Sequence, residues 1–298
     1  MDLSVVIATY NRCSNLEDCI RSLLRMKEKP SEIIVVDSSS TDGTSRLAKI
    51  YPIRYVSIRE RNRQRARNVG LSQSKGDVVA FVDDDVVVDE NWSTSVLISY
   101  AHSYIGGVGG RVIPYGSTAS YFTRAKKSEI GKIYADGLIL GNFDAPLPAS
   151  IEVDHLPGCN MSFRKDLLMK VGGFDENFMG NSFRDDTDAS LRIRTIGYKL
   201  VYQPKALIWH KFMGRVVDEK WAYWYFRNSI YFYFKNIFRP VGFYFPHFLL
   251  RLVLFPQGYV RRSQLRMTIS LSLILGSIKG VTDGFFFSRN RRRLWKFY

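Results

Sequence analysis

Three aspartates in a row, Asp83, Asp84 and Asp85, stand between the apolar runs DVVAFV and VVV. Carboxylates that close repel one another unless something positive offsets them. An oxygen-preferring divalent cation, Mg2+ or Mn2+, would do so, because it binds one or two protein carboxylates, keeps waters and takes further ligands from substrate phosphates. A solvated acidic turn is the other reading of the triplet alone. Asp37, ahead of SSSTDGT, stands where a carboxylate accepts hydrogen bonds from a base N–H or a ribose hydroxyl, or else caps a turn. Arg67 and Asn68 belong to the basic run RNRQRARN, which either faces phosphates or is a solvated helix face. Asp185, Asp186 and Asp188 in RDDTD are, by themselves, acids at a helix N-terminus. His210 closes PKALIWH and offers a further metal or diphosphate contact, or a structural imidazole. Taken together, these residues sketch a nucleotide site with base, diphosphate and metal contacts.

Such residues need elements to hold them. LSVVIATY is a β-branched apolar run, and SNLEDCIRSLLRM then places Leu16, Cys19, Ile20, Leu23 and Leu24 at helical spacing. The pattern repeats: SEIIVVD reads as a strand, SRLAKIY as a helix, IRYVSIRE as a strand, RQRARNVGLSQSK as a basic helix and DVVAFV as a fourth strand. Alternation with strands apolar on both faces predicts an α/β fold, a mostly parallel sheet flanked by helices. In such sheets ligands collect at the carboxyl ends of the strands, which is where Asn11, Asp37 and Asp83 to Asp85 fall. Residues 106–157, rich in Gly and Pro, read as loops plus a hairpin. NMSFRKDLLMKVGGFDE then gives a short strand, a helix from about Lys165 to Val171 and a Gly-Gly stop. DDTDASLRIRTIGYK is a helix with acids first and bases last, and LVYQPKALIWH a closing strand.

A chain of 298 residues, 46% hydrophobic and 24% charged, can bury a large core and is not disordered. Its net charge of +15 is uneven: residues 1–210 carry 27 basic and 25 acidic side chains, the last 88 residues 16 and 3. Cys13, Cys19 and Cys159 form no C-x-x-C pair and read as free thiols of a reducing compartment. MDLSVVIATYNR opens on a strand-like run without the features of a secretory signal, so the expected location is cytoplasmic. The first strand is followed by ATYNRCSN instead of the dinucleotide fingerprint G-x-G-x-x-G, and no P-loop pattern occurs, which counts against hydride transfer and P-loop NTPase chemistry.

The order VVIATYNR, IIVVDSSSTDGT, RARNVGL, AFVDDDV, GCNMSFRKDLLMKVGGFDENF and RDDTDASLRIRTIGYKLVYQPKALIWH resembles the family 2 glycosyltransferases, over roughly residues 2–210. The resemblance implies the Rossmann-like GT-A fold. It also implies that Thr9, Tyr10 and Asp37 hold the nucleotide base, with Asn11 and Arg12 in the same donor-binding set and Arg67 near base and diphosphate. Asp83 to Asp85 match the family's D-x-D region, so that Asp84 lies by the ribose and Asp85 on the metal, with Asp83 also at ligand spacing. Gly158, Cys159 and Asn160 match the loop bordering donor sugar and acceptor, with Cys159 a packing residue. RDDTD stands where the family commonly has Glu-Asp-x-Glu/Asp, which puts the catalytic base on Asp186, or on Asp185, a shorter acid than the usual Glu.

The implied activity is an inverting, hexosyltransferase-type transfer dependent on Mn2+ or Mg2+. The sugar passes from a nucleoside-diphosphate sugar to an acceptor hydroxyl of a lipid-linked or cell-surface glycan precursor. Nothing in the residues separates UDP from GDP or dTDP, and uridine is favoured on the resemblance alone. One alternative is a sugar-nucleotide nucleotidyltransferase, whose Gly-rich opening is missing at VVIATYNR. The other is a non-catalytic membrane-associated scaffold of the same fold, which would not need Asp85 and Asp186.

The expected domains are 1–212, binding donor and catalysing transfer, and 213–298, helical, basic and aromatic. Residues after 210 hold 23 of the 42 aromatic residues. Neither 241–255, interrupted by Pro246, His247 and Arg251, nor MTISLSLILGSI reaches the roughly 20 apolar residues of a membrane span. Met267, Leu271, Ile274, Leu275, Ile278 and Val281 instead share one helical face, and with FFFSRNRRRLWKFY they predict attachment to the inner face of the cell membrane. Packing on the catalytic domain or into a homo-oligomer is the alternative; nucleic acid is not an expected partner, for no such motif is present.

Overall fold

The computed structural model describes residues 1–116, 129–134, 138–211, 218–237 and 278–287. The first half runs β1 (Leu3–Thr9), α1 (Cys13–Leu24), β2 (Glu32–Asp37), α2 (Leu47–Ile50), β3 (Arg54–Ser57), α3 (Arg63–Gln73), β4 (Val78–Asp83), β5 (Val86–Val88), α4 (Trp92–Ser99) and β6 (Ile105–Pro114). Then come β7 (Lys132–Ile133), β8 (Ile139–Leu140), β9 (Ile151–Val153), β10 (Asn160–Arg164), α5 (Lys165–Lys170), α6 (Asp185–Thr195), β11 (Lys199–His210), α7 (Glu219–Phe232) and a helix α8 at 278–287. The chain divides into two compact units, one of residues 1–132, 141–176 and 185–213, the other of 133–140, 177–184 and 214–298.

The first unit is built on a sheet in the order β3-β2-β1-β4-β10-β6-β11-β5, with β9 beside β11. Its strands are apolar on both faces, because each face is covered. Leu3, Val5 and Ile7 of β1 join Leu16, Ile20 and Leu23 of α1 on one side. Val6 faces the other way, among Leu71 of α3, Phe163, Leu167 of α5 and Ile193 of α6. The sheet is mixed, where a mostly parallel one is expected from the sequence: β1, β2, β3 and β4 pair in parallel and so do β6 and β11. β10 runs antiparallel to both β4 and β6, and β5 and β9 antiparallel to β11. The reversal at β10 lacks a sequence signal of its own, since NMSFR reads the same in either direction.

Residues 105–114 are also corrected: a stretch read as loop for its glycines is a ten-residue strand near the middle of the sheet. The glycines answer to crowding. A Cβ at Gly110 would lie 1.9 Å from the carbonyl oxygen of Ala206 and 2.2 Å from the amide of Asn160, so only a bare backbone fits there.

Register decides what meets at the sheet's edge. Thr9 pairs with Asp37 and Ala8 with Asp83, so β1, β2 and β4 end together. After β4 the chain turns at Asp84 and Asp85 and crosses to β5, where Val86 pairs with His210 of β11. The two-residue turn thereby lies beside the end of β11.

In the second unit, Asp218 caps α7 by accepting the Trp221 N–H at 2.7 Å, an ordinary N-cap. Tyr225, Phe226, Ile230, Tyr233 and Phe234 cluster with Phe183 and Val281. Gly280 and Gly284 bring α8 against the backbone carbonyls of Tyr223 and Arg227, and small residues one turn apart permit this approach. Ile278, exposed, and Val281 are the described part of the expected membrane-facing stripe; Met267, Leu271, Ile274, Leu275 and the run 241–255 lie outside the described residues. Among the described residues no helix is long and apolar enough to cross a membrane.

Candidate active site

The aspartate turn is offset by side chains from three other elements. Asp84 is buried and accepts the Thr9 hydroxyl at 2.7 Å and the Arg12 guanidinium at 3.2 Å. Asp85 accepts the same guanidinium at 2.7 Å and meets the His210 Nε2 at 2.9 Å. The carbonyl of Asp85 takes the Lys211 N–H at 2.8 Å, which ties the turn to the end of β11. Asp83, Asp85 and His210 each offer one donor atom, all within 4.8 Å of one another. Two carboxylate oxygens and an imidazole nitrogen are a donor set that fits a divalent cation.

Asp83 leads to the second cluster through Arg67. The Arg67 guanidinium, only 3% exposed, donates to Asp83 at 3.2 Å, to the carbonyl of Gly158 at 2.8 Å and to Asp185 at 2.6 Å. One side chain of α3 therefore binds the end of β4, the loop before β10 and the start of α6. Gln64, one turn earlier on α3, adds a bond to Asp185 at 3.1 Å. Both are buried, so the basic run RNRQRARN is not simply a solvated face.

Asp185 and Asp186 are neighbours with different surroundings. Asp185 is buried, its Oδ2 taken by Arg67 and Gln64 and its Oδ1 by the Asp186 N–H at 2.8 Å. Asp186 is partly exposed, and its Oδ1 accepts the Thr187 N–H at 2.7 Å. Its Oδ2 points at Gly158, so that a Cβ there would lie 2.9 Å from it. Gly158 thus lets the carboxylate stand directly over the β9–β10 loop.

Around β1 and β2, Asp37 is fully buried, with Oδ1 accepting the Ser40 N–H at 3.0 Å and the Ser40 hydroxyl, and Oδ2 accepting the Tyr55 hydroxyl. Asn11, at a left-handed φ of 50°, donates its N–H to Ser40 and accepts from the Thr41 N–H, which locks the loops after β1 and β2 together. Arg61 lies over the Tyr10 ring at 4.2 Å, a cation–π contact. Thr9, Arg12, Asp83, Asp84, Asp85 and His210 are brought together in one network, and Arg67, Gly158, Asp185 and Asp186 in a second joined to it at Asp83.

Asn160 is placed otherwise than expected. It is 1% exposed, accepts the Trp92 indole N–H at 2.9 Å and donates to the carbonyls of Ala206 and Arg111, so it serves the core between β10, β6 and β11. Cys159 is buried, and burial pushes its thiol well up, as befits a packing residue. Gln64, Ser40 and Tyr55 escape sequence reasoning. Gln64 has one signal, its i, i+3 spacing to Arg67; for Tyr55, 18 residues from Asp37, there is none.

Against this geometry stand the comparisons with known proteins. The sequence model described as glycosyl transferase family 2 matches residues 4–172. The chain belongs to glycosyl transferase family 2. This family 2 chain is 26% identical over 219 residues to the poly-beta-1,6-N-acetyl-D-glucosamine synthase of Staphylococcus aureus, over 70% of the chain and 49% of that protein. The Staphylococcus epidermidis synthase is 24% identical over 217 residues, with the same coverage. The family 2 chain therefore spans about half the length of these relatives. Among solved structures, S. aureus TarS has a TM-score of 0.62 at 15% identity, covering 95% of this chain and 48% of that one. Mannosyltransferase PcManGT from Pyrobaculum calidifontis, solved with GDP-Man and Mn2+, has a TM-score of 0.60 at 18% identity, covering 99% and 88%. These likenesses establish the α/β fold of GT-A type for the family 2 chain.

The charges of the family 2 site carry a pH signature. Burial lifts the Asp84 carboxyl to about 6, against the pull of Arg12 and Thr9. Burial pushes Asp85 the same way, but His210 and Arg12 hold it at about 2. A carboxyl raised on folding favours the folded state fully below its ordinary value of 3.8, and that contribution is lost as pH rises through about 6. Without added cation, the melting temperature of Asp84→Asn is therefore expected to gain on wild type between pH 4 and pH 7, by up to about 3 kcal/mol of stability. Scanning calorimetry of both proteins across that range checks it; parallel pH profiles would contradict the burial argument.

Proposed function

We propose that this chain transfers a sugar from a nucleoside-diphosphate sugar to an acceptor hydroxyl with inversion at the anomeric carbon. The observation that carries the reading is the single Arg67 side chain that binds both Asp83 of the aspartate turn and Asp185 next to Asp186. It holds a cation-ready acidic turn and a partly exposed carboxylate in one framework. Asp186 takes the proton of the acceptor hydroxyl as that oxygen attacks the anomeric carbon, and the bond from that carbon to the diphosphate breaks on the opposite face. Asp83, Asp85 and His210 would hold the divalent cation, whose positive charge stabilises the departing diphosphate. Mixed oxygen and nitrogen donors favour Mn2+ over Mg2+. Thr9 and Arg12 fix Asp84 toward the ribose side, and Asp37, Asn11 and Tyr10 form the base end.

One neighbour was solved with UDP-GlcNAc and another with GDP-Man and Mn2+, which leaves uridine and guanosine as the bases to test. The S. aureus and S. epidermidis relatives are glycan synthases by name, which supports a growing or lipid-linked glycan as acceptor. A nucleotide sugar that binds only the folded protein raises its stability by about 2.7 kcal/mol at a hundredfold excess over Kd. With Mn2+, UDP-GlcNAc or GDP-mannose is therefore expected to raise the melting temperature by roughly 5 °C or more, and Asp85→Asn to lose the cation-dependent part. No shift with any nucleotide sugar would sink the reading.

The three free cysteines, two of them buried, suit a reducing cytoplasmic site, and the basic, aromatic C-terminal region suits the anionic inner face of the membrane. The full chain is expected to float with anionic liposomes and a truncation after about residue 215 to remain behind. Equal behaviour of the two would refute membrane attachment by this region.

A further inference from the structure

Arg12 stands in the loop between β1 and α1, where the carboxyl-end rule puts a ligand, yet its guanidinium is spent on the aspartate turn. Its Nη1 lies 3.2 Å from Oδ1 of Asp84 and 2.7 Å from Oδ2 of Asp85. One nitrogen thus bridges two carboxylates, as a small cation would. The other oxygen of Asp85, Oδ1, meets the His210 Nε2 at 2.9 Å. Both oxygens of Asp85 are therefore engaged by side chains of this chain.

The members of this network differ in freedom. Asp84 is buried and keeps the Thr9 hydroxyl on its Oδ2 at 2.7 Å, so its place does not depend on Asp85. The side chain of Arg12 is 47% exposed, against 15% for Asp85. An ion pair with one half-exposed partner is screened by water and is cheap to open. The bond that can yield is that from Arg12 to Asp85.

A divalent cation drawn by Asp83, Asp85 and His210 would meet the carboxylate that Arg12 already holds. Two positive groups on one carboxylate repel each other, and partial burial screens them less than bulk water does. A diphosphate relieves the conflict, since the planar fork of a guanidinium binds phosphate oxygens in pairs of hydrogen bonds. We infer that Arg12 gates the cation: it holds Asp85 until the diphosphate of the donor takes its guanidinium, and so makes cation binding depend on nucleotide. This rests on the reading of Asp83, Asp85 and His210 as the cation site. The dependence is reciprocal, because the factor that nucleotide adds to the affinity for the cation is the factor that the cation adds for nucleotide. Capture of a cation with no donor to act on is thereby disfavoured.

The test follows free Mn2+ by electron paramagnetic resonance, with and without UDP or GDP, for the full chain and for Arg12→Gln, Arg12→Lys and Asp85→Asn. Arg12→Gln is expected to bind Mn2+ alone roughly tenfold more tightly than wild type, as removal of one competing unit charge implies. It is also expected to lose the matching part of the tightening that nucleotide gives wild type. Arg12→Lys keeps the charge and is expected to bind Mn2+ alone as weakly as wild type does. A merely structural role for Arg12 would lower the melting temperature and weaken Mn2+ binding in Arg12→Gln. If Arg12→Gln does not fold, the Arg12 Nε–H resonance of wild type, identified by its loss in Arg12→Lys, carries the test. It is expected to shift when UDP or GDP joins Mn2+, and an unmoved resonance overturns the inference. Mn2+ affinity of Arg12→Gln equal to or below that of wild type, with Asp85→Asn failing to bind, overturns the inference and leaves the cation site standing. Undiminished Mn2+ binding by Asp85→Asn, or none by wild type with either nucleotide, overturns the cation reading and this inference with it.

Discussion

Asp186→Asn is expected to lower sugar transfer by about 10²- to 10⁴-fold, the usual contribution of a positioned general base, while nucleotide and cation raise the melting temperature as they do for wild type. The variant should fold. Asparagine keeps the Oδ1 acceptor that caps the Thr187 N–H, and the partly exposed position imposes no burial cost on an amide. What it loses is the ability to take a proton. Asp185→Asn makes the contrasting case. Asp185 is buried and holds Arg67 and Gln64, so its loss is expected to appear first as lowered stability. Rate measurements per folded molecule, beside melting temperatures, separate the two; an Asp186→Asn protein with wild-type turnover would remove Asp186 from the chemistry.

The largest expected effect on stability is that of Arg67→Met. Methionine fills much of the arginine's volume but leaves Asp185, Asp83 and the carbonyl of Gly158 without their common donor. Burial already pushes the Asp185 carboxyl upward against Arg67, and breaking a buried ion pair from one side costs about 3–5 kcal/mol. The expected fall in melting temperature is roughly 10 °C, with a partial recovery in the double variant Arg67→Met, Asp185→Leu, where no buried charge is stranded at α6. Additive losses in that double variant, measured by denaturant unfolding, would show that the pair is not coupled.

Much of the fold is legible because its local signals agree. The strands β1, β2 and β4 are apolar on both faces, α6 begins with acids and ends with bases, and the stop after α5 is two glycines at φ of 83° and 67°. The carboxyl-end rule then brings Asp37 and Asp83 to one edge, and the register of β1 with β2 and β4 agrees. What stays hidden is non-local. Glycines in β6 signal loop until Ala206, nearly a hundred residues later in the chain, is seen to occupy the space a side chain at Gly110 would need. Asn160 sits within a motif whose family role is at the donor, yet its amide is spent on Trp92, Arg111 and Ala206. Arg67 sits in a basic run whose neighbours say nothing of Asp185. Burial and pairing across the chain cannot be read from composition, because they depend on which strands become neighbours.

The reach of Arg67 also bears on how the molecule assembles. Its partners lie 16, 91 and 118 residues away along the chain. Contacts of such separation must meet the entropy of closing their loops before they return any energy, so they form late in folding. A nascent chain that has completed β4 can pair Arg67 with Asp83 alone, and its sheet still lacks β10, β6 and β11. The full set of partners arrives only when α6 has been synthesised. Until then the Arg67 guanidinium lacks its Gly158 and Asp185 partners, and the second cluster stays unassembled.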